Sequence, residues 1–111
     1  MPYASVADVK VYLQIPSQVT DYDSEISAII EFVDSHVNAV LRRYFTAAEL
    51  PLSNTHEDYP VVRWYEAMWA AGEFKHRREG RPQEQEHPYA AHAREGLTDY
   101  LEAKYTRVEL I

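Results

Sequence analysis

Histidines and carboxylates are the residues of this chain that could do chemistry, and their spacing gives them little to do together. His87 and His92 are five apart, so on a helix they project to different sides, and no HExxH motif is present. His56-Glu57-Asp58 is a polar loop triplet with no second cluster that it must meet. Glu66 and Glu73 are expected on the polar side of a helix, as solvated carboxylates. With three glycines in total there is no Gly-rich phosphate loop, and GxSxG is absent. The lack of cysteine excludes thiol nucleophiles, disulfides and thiolate metal sites. A Ser–His pair assembled by the fold stays open, with no spacing that points to one. Tyrosines and tryptophans are expected as core or interface amphiphiles, since base stacking needs basic neighbours that they largely lack. The expectation is a non-enzyme with no metal site and no cofactor.

Charge is more informative than any motif. The chain has 111 residues and a net charge of −7, which argues against a protein whose main work is gripping phosphate. Residues 1–41 hold Asp8, Asp21, Asp23, Glu25, Glu31 and Asp34 against a single base, Lys10. Cations gather instead at Lys75, Arg77, Arg78 and Arg81, with Arg42 and Arg43 as a smaller pair. Such a set reads either as a solvated helix end favoured by the macrodipole or as a docking patch for an acidic neighbour. A hydrophobic content of 46% argues for a packed core, and no segment approaches the ~20 apolar residues that cross a bilayer. The N-terminus lacks the regions of a signal peptide, so a cytosolic origin is the default expectation.

Helices must position these residues. Val6–Leu13 is a short helix with Ser5 as N-cap and Asp8 three residues on, and Pro16 lies beyond its end. Asp21–Phe45 is a long helix whose apolar residues step 4, 3, 4, 3, 4 through Ile26, Ile30, Val33, Val37, Val40 and Tyr44. Ile29 and Leu41 widen that stripe, which is expected as the core seam. Residues 45–58 form a loop. A third helix opens near Pro60, with Asp58 a possible cap, and carries a broad arc of Val61, Val62, Trp64, Tyr65, Met68, Trp69, Ala71 and Gly72. That arc fits a helix contacted by two neighbours, or one whose edge, with the outlying Phe74, packs against another subunit. Gly80 and Pro82 end it; Pro88 opens a fourth helix in which Gly96 implies close packing or a bend. The spacing therefore predicts an all-α bundle of about four helices, a single domain over 1–105, and an extended tail over 106–111 that alternates polar and apolar residues.

The opening Tyr3-Ala-Ser-Val-Ala-Asp-Val-Lys-Val-Tyr-Leu, a short Pro-containing connector, and an acid-led helix ending Leu41-Arg42-Arg43-Tyr44-Phe45 resemble the tailed-phage head–tail connector (adaptor, or head-completion) family. The likeness covers about the first 45 residues closely and 60–105 by helix order, with an Ala- and aromatic-rich third helix at Val61–Phe74. It implies a viral structural protein of the virion neck, assembled in the host cytoplasm as a ring of about twelve subunits beneath the portal. DNA would pass through without sequence-specific binding, and the partners would be the portal, tail or neck proteins and further copies of the chain, with no membrane. An acidic conduit would repel phosphate as DNA passes. For the portal contact the tail residues Thr106, Arg107, Val108, Glu109, Leu110 and Ile111 are the candidates. For contacts between subunits they are Trp64, Phe74, Lys75, Arg77, Arg78 and Arg81. Two other classes compete: a helical DNA-binding regulator with the first two helices as a helix-turn-helix, and another phage neck or tail-completion protein. A small enzyme with a site shared between subunits has no residue cluster behind it.

Overall fold

The computed structural model describes residues 2–80 and 86–106. Four α-helices carry the chain: α1 (Val6–Leu13), α2 (Asp23–Leu41), α3 (Tyr59–Glu79) and α4 (Pro88–Leu101), with a 3-10 turn at Ala47–Glu49 and a π-helical turn at Glu102–Thr106. No strand occurs among the described residues.

α1 begins as its capping residues dictate. The Ser5 hydroxyl accepts the Asp8 N–H, and the Asp8 carboxylate accepts the Ser5 N–H. It ends at Gln14, whose left-handed backbone (φ 59) lets the Ile15 N–H turn back to the Lys10 carbonyl. α2 buries Ile26, Ile29, Ile30, Val33, Val37, Val40 and Leu41, the stripe that the sequence marked as the seam. Each such side chain contributes about 1.5–3 kcal/mol relative to exposure. The helix is shorter than the expected Asp21–Phe45. After Leu41 the amides of Arg43 and Tyr44 return to carbonyls three residues back, which tightens the chain into a turn and drops Phe45 into the core. Arg42 and Arg43 therefore lie just past the helix, not in its last turn.

α3 touches all three other helices. α4 runs antiparallel to it, as three contacts in descending register show: Ala90 on Gly72, Gly96 on the ring of Tyr65, and Tyr100 on Asp58. A Cβ on Gly72 would lie 2.4 Å from the Ala90 nitrogen, so only glycine lets the start of α4 come this near. Gly80, left-handed at φ 66, closes α3 where expected. The tail 107–111 lies outside the described residues.

Candidate interaction surfaces

Ion pairs fix the N-terminal third to the rest. Arg63 grips Asp8 through two nitrogens at 2.7 and 2.9 Å, and this guanidinium, ahead of the opposing effect of burial, holds the Asp8 carboxyl below the usual range. Lys10, although only 5% exposed, reaches Asp23 at 2.7 Å and the Val19 carbonyl at 2.5 Å, pinning the connector 14–22. Glu25 pairs with Arg78 at 2.8 Å. The N-terminal acids are thus largely spent inside the fold; Asp21 and Glu31 are exposed and make no such pair among the described residues.

Glu66 is a correction to the sequence reading. It was expected among solvated carboxylates and is 0% exposed, accepting the Ala4 N–H at 2.7 Å. Glu66 Oε1 and Asp34 Oδ1 are buried with no donor, and the two side chains meet. A proton on the Glu66 carboxyl lets it donate to Asp34. Burial, then this pairing with Asp34, pushes the Glu66 carboxyl up to about 9, so it is protonated at neutral pH.

The loop triplet also has a second cluster, contrary to expectation. Asp58 occupies the cap position of α3 without capping it; its buried carboxylate accepts Tyr100 at 2.7 Å, Lys104 at 2.5 Å and the Tyr105 hydroxyl. Lys104 also meets Glu57 at 3.0 Å. Burial raises the Asp58 carboxyl, but Lys104, Tyr105 and Tyr100 together outweigh it and leave it below the usual range. Tyr105 is pushed up to about 12 by burial and by this carboxylate. The sequence signal for this contact is Tyr100, Lys104 and Tyr105 at spacings of four and five, which no common motif describes.

The residues expected between subunits do not form one patch. Trp64 is 38% exposed and edge-on to Tyr12, with the Arg63 guanidinium over its ring. Together with Val61, Tyr65, Met68 and His92 it lines an open groove of about 410 Å³. Phe74, expected as an outlying contact, is covered by Tyr22 and the Arg78 guanidinium and is 8% exposed. Lys75 lies over Tyr89 of α4, while Arg77 pairs with Glu73 and lies over Phe32 of α2. Three cations of the set therefore point to three different neighbours within the chain. Arg81 and residues 107–111 lie outside the described residues, and Thr106 ends the last described turn.

A second cleft, about 1010 Å³, collects His36, His76 and His87 with Phe32, Trp69 and Arg94. His36 sits between Phe32 and Trp69, stacked on the latter at 6.0 Å. No group of three or more metal-ligating side chains comes together among the described residues. None of the helices described is long and apolar enough to cross a membrane.

Fold and surfaces define a small all-α protein, a bundle of four α-helices. The chain matches no protein-family model, no curated protein and no solved structure with which it was compared.

Proposed function

We propose that this protein is a head–tail connector of a tailed phage, a non-enzymatic ring component that docks under the portal, extends the DNA channel and receives the tail. The observation that carries the reading is the N-terminal pattern: the capped helix Val6–Leu13, the Pro-containing connector, and the seam helix followed directly by the turn Arg42-Arg43-Tyr44-Phe45. Helix order and an all-α fold are compatible with it. The groove at Trp64 gives a ring neighbour an aromatic surface of the kind enriched at interfaces. Because most acids of residues 1–41 are paired internally, repulsion of DNA in the channel would fall to the exposed Asp21 and Glu31.

The competing regulator is less well supported. The connector 14–22, held by Lys10, is longer than the turn of about three or four residues in a helix-turn-helix. Net charge opposes it too.

In this reading the tail 106–111 reaches the portal as an extended arm or an added strand. A chain shortened to residue 105 should keep its helical circular dichroism signal and lose binding to the portal protein of its own virus in a pull-down. Undiminished binding would rule out the tail as the contact.

A further inference from the structure

The last described turn is wound in an unusual way, and it meets one buried carboxylate. Residues Glu102–Thr106 form a π-helical turn, although Glu102, Ala103 and Lys104 are good α-helix formers and no proline or glycine interrupts them. In an α-helix Tyr105 would sit roughly 140° round from Tyr100, facing away from the partner of Tyr100. A π turn closes its hydrogen bonds on the fifth residue and advances less per residue, which swings Tyr105 back towards the face of Tyr100 and Lys104. All three then meet the Asp58 carboxylate at the start of α3, Tyr100 at 2.7 Å and Lys104 at 2.5 Å. The Phe45 ring seats Tyr105 from the other side, with centroids 5.1 Å apart.

We propose that the Asp58 carboxylate holds residues 102–106 in the π form, and that without its bond to Tyr105 this turn rewinds to α and displaces Tyr105 and Thr106. Asp58 is then a positioning residue for the turn 102–106, and the proposal stands apart from the connector reading. Tyr105 is the discriminating donor. Tyr100 and Lys104 are four apart and can both reach Asp58 from an ordinary α turn.

The chain has no cysteine, so two introduced ones report cleanly. Spin labels at Val11→Cys, on the exposed side of α1, and Thr106→Cys give one inter-label distance distribution in the parent protein. Tyr105→Phe, which keeps the ring against Phe45 and removes only the hydroxyl, should displace or broaden that distribution. Asp58→Asn should do the same, and Tyr100→Phe should leave it in place. Should Asp58→Asn fail to fold by circular dichroism, Tyr105→Phe decides alone. An unmoved distribution in Tyr105→Phe, or an equal displacement in Tyr100→Phe, overturns the proposal.

Discussion

Two carboxylates with opposite environments dominate at the scale of residues. Glu66 faces another carboxyl, Asp34, and a backbone N–H, whereas Asp58 faces a lysine and two hydroxyls. Their effects on stability have opposite signs. Asp58 and Asp8, both held below the usual range, contribute stability that is present above the ordinary aspartate value and is lost as pH falls through their folded values. Glu66 runs the other way. From its ordinary value of 4.5 up to about 9, the folded chain holds a proton that the unfolded chain has released, so stability falls as pH rises across that window. The slope for one proton is at most about 1.4 kcal/mol per pH unit. Glu66→Gln keeps an acceptor for the Ala4 N–H and gives Asp34 a permanent donor. Urea unfolding between pH 5.5 and 8.5 should show a falling stability in the parent and a flatter profile in the variant; equal slopes would contradict a protonated Glu66. Neither role was legible in the sequence. Glu66 shares its helix face with Val62, Trp69 and Ala70, and its burial is completed by the N-terminal segment folding over it, a contact 62 residues away along the chain.

Elements were far more legible, because periodicity and caps are local. α1 has the bounds that Ser5, Asp8 and Leu13 imply, α4 begins at Pro88, and the buried face of α2 is the stripe read from its 4, 3, 4 steps. What failed at this scale was the end of α2, where the stripe continues into Tyr44 but the backbone does not. Tyr44 is drawn out to Glu102 at 2.7 Å and Phe45 into the core beside Tyr105 and His56, so tertiary contacts decide where the helix stops. Phe74 failed for a similar reason: its place off the broad arc is a fact of the wheel, but Tyr22 closes over it from the connector before α2. The α3–α4 pair yields a ranked prediction. Gly72→Ala drives a Cβ into the backbone of Ala90, which cannot yield without moving α4, and should cost about 1–3 kcal/mol. Gly96→Ala meets only the far end of the Tyr65 side chain, which can move, and gains about 1 kcal/mol of helix propensity. Its net effect in urea unfolding should be clearly smaller, and two equal losses would contradict this register of α4 on α3.

For the molecule as a whole, the bundle measures 49 × 31 × 21 Å. It keeps its ion pairs largely for itself: Asp8 with Arg63, Asp23 with Lys10, Glu25 with Arg78, Asp58 with Lys104. Among the described residues the groove at Trp64 stays open beside these pairs. All-α architecture could be read from the sequence because it is a sum of local patterns. Partner contacts could not, because they depend on which side chains the fold leaves unused. Charge clusters in the sequence pointed to Lys75, Arg77 and Arg78, which the fold has largely employed. The connector reading concerns an assembly, and it is best tested on one. Purified protein should be mixed with the portal protein encoded in the same genome and imaged in negative stain. The account predicts an added ring of density, coaxial with the portal at one end of its channel. Portal particles unchanged in outline beside free small protein, at concentrations well above that of the portal, would contradict it.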